Sequence, residues 1–208
     1  MISGFFYFAQ RYENEKLIAQ QIELNPEYEA FYFQKSNQLQ DEINYLHENI
    51  QFSNSITIYR LIHNPFKTAS GSKYIVSIIA NVGHRNSYRN LKKWQKRPVP
   101  KGYEIYNDRI LNAPDNSYFI EDITQDKNIY VAETKATIDN NTTTSLYGIL
   151  VYKRRSDIDE AHNVYYLLAI AYNKNPLYSQ AYVKKKAEES IPHLIKIFKQ
   201  WKPLAFFY

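Results

Sequence analysis

The chain has 208 residues, 44% of them hydrophobic, and a formal net charge of +5. That length and composition point to one globular domain with a packed core, not to a disordered tail. There is no cysteine, which excludes disulfide frameworks, a disulfide-linked partner, thiolate zinc sites and cysteine nucleophiles, and suits a reducing, cytoplasmic setting.

The opening MISGFFYFAQRYENE is aromatic but has no basic n-region and turns charged at Arg11, so it does not read as a signal peptide. No stretch approaches about 18 apolar residues, so no membrane span is expected. A helix starts at Asn25-Pro26, where Asn caps and Pro suits the first helical position. Leu39, Ile43, Leu46 and Ile50 then follow helical spacing to about Gln51. NSITIYRLI (54–62) and KYIVSIIAN (73–81) read as strands around the turn-rich NPFKTASGS.

HRNSYRNLKKWQKR, residues 84–97, carries Arg85, Arg89, Lys92, Lys93, Lys96 and Arg97 with no acid, and Tyr88 and Trp94 interleave. It reads as a short helix or a loop, closed by RPVPKG. Such a segment can neutralise phosphates and stack on bases, or it can be a solvated surface that binds nothing. SYFIEDIT (117–124) and NIYVAETKATI (128–138) read as a hairpin across QDKN. LYGILVYKRR (146–155) fits both periods, and Leu146, Ile149 and Leu150 tip it toward helix. VYYLLAIAYNK (164–174) is a strand. Ile191, Leu194, Ile195, Phe198 and Trp201 make the apolar stripe of a last helix.

The expected fold is α+β: a mixed, largely antiparallel central sheet flanked by N- and C-terminal helices, with a strongly curved antiparallel sheet as the alternative. Residues 1–208 are expected to form a single domain, with a mainly helical part over 1–53, a sheet core over 54–174 and a helical part over 175–208. The twenty tyrosines and eleven phenylalanines pack cores and interfaces, and also stack on bases and sugars.

One strand is odd. In YVAETKAT, Glu133 and Lys135 interrupt a run that otherwise reads as buried. Alternation places Val131, Glu133, Lys135 and Thr137 on one face. A two-residue turn at Asp126-Lys127 would pair Asp122 with Val131 and set it diagonal to Glu133, about 7–8 Å away between Cβ atoms. Two carboxylates at that range can share Mg²⁺, and Lys135 can orient water or stabilise phosphate charge. A three-residue turn would bring Glu121 to that face instead. The alternative is an exposed-face ion pair on an ordinary strand.

An acid, a hairpin step and Glu133-Thr134-Lys135 in an apolar strand resemble the PD-(D/E)xK nuclease superfamily over about residues 115–175. Asp122 suits a tight hairpin, and Asp115, in a literal Pro114-Asp115, is the other upstream acid. The resemblance implies a restriction-endonuclease-like core and Mg²⁺-dependent phosphodiester hydrolysis on DNA, of restriction or defence type. Asp122, Glu133 and Lys135 would be catalytic, and Asp115, Asp122 and Glu133 would hold metal. DNA would lie on Arg85, Arg89, Lys92, Lys93, Trp94, Lys96 and Arg97. Many members carry a further upstream Glu, and Glu42 and Glu48 are candidates. A homodimer is also implied.

Three other readings compete. One is a metal-independent DNA-acting enzyme of restriction glycosylase or lyase type on a curved sheet. Another is a non-enzymatic nucleic-acid-binding protein using 84–97. The weakest takes Tyr59-Arg60 in ITIYRLI as a resemblance to the first motif of ADP-ribosyltransferases, whose later motifs do not follow. His47, His63, His84, His162 and His193 show no metal-ligand spacing, and no phosphate loop or G-x-S-x-G is present.

Overall fold

The computed structural model describes residues 26–50, 53–64, 72–83, 97–99, 101–126, 145–155, 163–172 and 180–200, with side chains of the first helix described from Asn37. Helix α1 (Pro26–Asn49) begins on its proline, as expected for a residue whose missing N–H lies in the unbonded first turn. Leu39, Ile43, Leu46 and Ile50 recur at spacings of four, three and four and are all buried. Behind the helix, the Ser53 hydroxyl donates to the Ile50 carbonyl at 2.9 Å, and His47 Nδ1 stands 2.6 Å from Ser53 Oγ. That fixes the entry into β1.

Strands β1 (Ser53–His63), β2 (Tyr74–Gly83) and β3 (Arg97–Pro98) follow. Then come helix α2 (Lys101–Asn112), strand β4 (Ser117–Ile120) and a 3-10 turn over Ile123–Gln125. Strands β5 (Ser145–Arg154) and β6 (Val164–Tyr172) and helix α3 (Gln180–Gln200) complete the described chain. The sheet order is β3-β2-β1-β6-β5-β4, and every pairing is antiparallel.

The two faces of the sheet are built differently. On one, α1 and α3 cover Ile56, Ile58, Tyr147, Ile149, Tyr166, Leu168 and Ile170. Val183, Ala187, Leu194 and Phe198 of α3 meet them there, and Phe198 packs on Tyr166 with centroids 4.4 Å apart. Pro192 lies inside α3 on its exposed side, where the carbonyl it leaves unbonded can reach water. On the opposite face, α2 and Ile123 cover Tyr59, Leu61, Tyr74, Leu146, Tyr165, Leu167 and Ala171. Truncating a core residue such as Leu168 to alanine would cost about 2–5 kcal/mol. No described helix is long and apolar enough to cross a membrane.

The α+β class, the antiparallel sheet and the flanking N- and C-terminal helices agree with the sequence. Two element assignments need correction. Residues 146–155 form strand β5, not a helix. Both its faces are buried for most of its length, so its apolar residues run continuously instead of alternating, and a continuous run mimics helical spacing. The strand expected over 117–124 ends at Ile120, and the chain turns through Ile123–Gln125. The segment 128–138 lies outside the described residues. Helix α2 was not anticipated at all.

Candidate functional site

Helix α2 carries the chemistry of the second face. Tyr103, Tyr106, Asn107 and Ile110 share one side of it by helical spacing, and the last three are buried. At the centre of β1, the Tyr59 hydroxyl donates to Asn107 Oδ1 at 2.7 Å, and both residues are buried. Two acids, Glu104 and Asp108, stand one turn apart and grip the start of β2. Asp108 Oδ1 accepts from the Tyr74 hydroxyl at 2.5 Å and from Lys73 Nζ at 2.8 Å. Glu104 Oε1 accepts from the Lys73 backbone N–H and lies 2.8 Å from Ser72 Oγ. These bonds pin α2 across the sheet.

Beside that clamp runs a row of rings. His63 stacks obliquely on Tyr74 at 4.9 Å and meets Tyr165 edge-on at 6.2 Å. Lys73 Nζ lies 5.0 Å from the Tyr74 ring centre and Lys153 Nζ lies 5.5 Å from that of Tyr165. Farther along, Arg109 sits 5.1 Å over Tyr118. Burial pushes the His63 pKa below its usual value, the Lys73 charge adds to this, and Asp108 opposes it. Burial, then the bond to Asp108, pushes the Tyr74 phenol far above its usual value. The Tyr106 hydroxyl is buried without a hydrogen-bond partner among the described residues, and burial raises its pKa.

The residues singled out by sequence fall elsewhere. Asp115 and Asp122 stand beyond opposite ends of β4, a strand of roughly 13 Å at 3.3 Å per residue. Asp115 is engaged by Lys184 Nζ at 2.7 Å and by the Ser117 N–H and hydroxyl at 3.2 and 2.8 Å. Those donors lower its pKa to about 2, Lys184 first. Asp122 precedes the 3-10 turn, where its carbonyl accepts from the Gln125 N–H at 3.2 Å. β4 pairs with β5 from Ser117↔Ile149 to Ile120↔Leu146, short of Asp122. Glu42 Oε1 is 3.5 Å from His193 Nδ1, and Glu48 is exposed.

Glu133 and Lys135 lie outside the described residues, as do Arg85, Arg89, Lys92, Lys93, Trp94 and Lys96. Of the basic segment only the backbone of Arg97 is described, in β3 opposite Val76. Among the described residues no three acids or histidines are grouped to hold a metal ion. Sequence reasoning missed Tyr74, Tyr106, Asn107, Asp108, Lys153 and Tyr165, and it met Tyr59 only in the Tyr59-Arg60 pair and His63 only as a histidine without metal-ligand spacing. The signal for α2 was present: Tyr103, Tyr106, Asn107 and Ile110 repeat at helical spacing, with Glu104 in the first turn and Arg109 in the last.

No protein-family model matches the chain, and no curated protein matches it. Solved structures do. A GAF domain/HD domain protein from Geobacter sulfurreducens superposes with a TM-score of 0.53 at 9% identity, over 82% of this chain and 95% of its own. The type II free methionine-R-sulfoxide reductase from Thermoplasma acidophilum gives a TM-score of 0.51 at 13% identity, over 81% and 96%. At such identities the likeness concerns the fold, which is GAF-like. It overturns the PD-(D/E)xK resemblance and, with it, the restriction-endonuclease-like core and the reading as a DNA-cleaving restriction nuclease. A short Glu-x-Lys with an upstream Asp recurs by chance, and the strand meant to carry Asp122 stops two residues before it. The DNA partner and the homodimer lose their basis together with that resemblance.

Proposed function

We propose that this chain is a sensory or regulatory domain that binds a small molecule on the α2-covered face of its sheet. The observation that carries this is the contrast between the two faces. One is sealed by the two long helices α1 and α3 over a mainly aliphatic core. The other lies under the 12-residue α2 and presents tyrosines, His63, Asn107 and paired charges. Ligand sites combine apolar and aromatic walls with a few fixed polar groups, as this face does. The GAF-like fold supports the same reading, since GAF domains are sensory or ligand-binding.

Sulfoxide reduction, the activity named for one of the similar structures, is not favoured. The chain has no cysteine to serve as its thiol reductant. We take residues 1–208 as one domain and the cytoplasm as its compartment, on the cysteine-free composition.

The test is a ligand-observed NMR screen of the chain against a library of metabolite-like compounds, followed by mapping of each hit on the protein. Saturable hits should shift the rings of Tyr59, Tyr74, Tyr106 and Tyr165. Hits that shift only Tyr147, Tyr166 and Phe198, on the α1–α3 side, would overturn the placement. A screen with no saturable hit would overturn the reading itself.

A further inference from the structure

The ring row lies across four strands. His63 of β1 is opposite Tyr74 of β2, and Tyr165 of β6 is opposite Lys153 of β5. Its charges are unevenly used. Lys73 is paired with Asp108. Glu104 is bonded to Ser72 and to the backbone of Lys73. Lys153 is exposed, leans on the Tyr165 ring, and has no carboxylate partner among the described residues. Among the described residues the row therefore ends in a cation without a carboxylate, next to the buried Tyr165 ring that the partly buried His63 meets from its other side.

We propose, building on the small-molecule reading above, that this end of the site takes an anionic oxygen group carried on a planar ring. Lys153 supplies the charge and His63 a hydrogen-bond donor, while the ligand ring packs on Tyr165. Hydrogen bonds to ionised acceptors are roughly twice as strong as neutral ones, and an ammonium whose stem lies along an aromatic ring offers an anion a charge with apolar surface beside it. Among the described residues, the groups against His63 are Lys73 beside β2, Tyr74 on β2, Asp108 on α2 and Tyr165 on β6, with Glu104 one turn before Asp108 and Lys153 of β5 opposite Tyr165. Burial and Lys73 disfavour the imidazolium, whereas Asp108 favours it. A bound anion adds to the favourable side. Binding should then take up a proton and strengthen as pH falls toward the depressed His63 value of the free protein.

The experiment follows the His63 ring signals of the full chain by NMR during titration with benzoate, its neutral isostere benzamide, phenyl phosphate and inorganic phosphate. Benzoate and phenyl phosphate should shift His63 saturably and raise its pKa, whereas benzamide should bind on the order of tenfold more weakly. Lys153→Glu, at an exposed position, should keep the native spectrum and weaken benzoate on the order of tenfold. Equal binding of benzoate and benzamide, unchanged in Lys153→Glu, would remove the anion inference and leave the small-molecule site standing. Inorganic phosphate matching phenyl phosphate would overturn the requirement for a ring. No shift at His63 with any probe would overturn the proposal, and the library screen decides separately whether the face binds anything.

Discussion

The Tyr106 side chain of α2 lies on Gly148 of β5. A Cβ added at Gly148 would come within 2.4 Å of both the Tyr106 hydroxyl and Ile110 Cδ1. Both side chains are buried, at 2% and 0% exposure, so neither has room to give way. The missing side chain is what lets α2 settle on the sheet and hold Asn107 and Asp108 where they act. Gly148→Ala is therefore an overpacking change and should destabilise by about 1–3 kcal/mol. Urea denaturation checks this. A neutral or stabilising result would mean that α2 stands farther from the sheet.

Tyr59→Phe tests the bond at the centre of the same face. The change removes one oxygen and leaves the buried Asn107 Oδ1 without its donor. An orphaned buried acceptor costs about 1–3 kcal/mol. Tyr74→Phe provides the comparison. Asp108 would keep Lys73 and is partly exposed, so its loss should be nearer to about 1 kcal/mol. Thermal or urea unfolding of the two variants should rank Tyr59→Phe as the more damaging. The reverse order would show that Asp108 matters more than Asn107 for seating α2.

The long elements were legible in the sequence for simple reasons. Pro26 and the Leu39–Ile43–Leu46–Ile50 repeat mark α1, and β1, β2 and β6 are runs of β-branched and aromatic residues. α2 escaped because Tyr103, Ile105, Tyr106 and Ile110 have side chains that favour strands, and tertiary packing on Gly148 overrides that preference. β5 escaped because a strand buried on both faces loses its alternation. The site was the least legible part. It is assembled from pairs such as Tyr59–Asn107 and Tyr74–Asp108, 48 and 34 residues apart. No local motif records such pairs, whereas Glu133-Thr134-Lys135 is local and so drew attention.

Asp115 should give a modest acid-limb signature. Its pKa is about 2 in the fold against an ordinary value of 3.8. A depressed carboxyl contributes stability that is present above the unfolded value and lost as pH falls toward the folded one. The window is therefore from about pH 4 down to about pH 2. Asp115 and Lys184 are 51% and 39% exposed, and screening limits their pair to about 0.5 kcal/mol. Asp115→Asn should remove that part of the acid limb and change stability at pH 7 by less than about 1 kcal/mol. An unchanged acid limb in Asp115→Asn would show that the Lys184 and Ser117 contacts do not persist in solution.

Arg109 ties α2 to β4 and to the turn after it. Its Nη1 donates to Asp126 Oδ2 at 2.5 Å and to the Tyr118 hydroxyl at 2.7 Å, and its guanidinium lies over the Tyr118 ring. The pair is more sheltered than Asp115–Lys184, with side chains 28% and 16% exposed. Arg109→Met keeps much of the packing volume but removes the charge, and should cost about 2–3 kcal/mol, somewhat less than for a fully buried pair. Adding Asp126→Asn should cost less on that background than in the parent, with a coupling of about 1–2 kcal/mol in a double-mutant cycle. Arg109→Lys should recover only part of the loss, because an ammonium can donate to both acceptors but cannot reproduce the planar guanidinium that stacks on the Tyr118 ring while one of its nitrogens holds them. Full recovery by lysine in urea denaturation would reduce Arg109 to a point charge and remove its part in orienting α2.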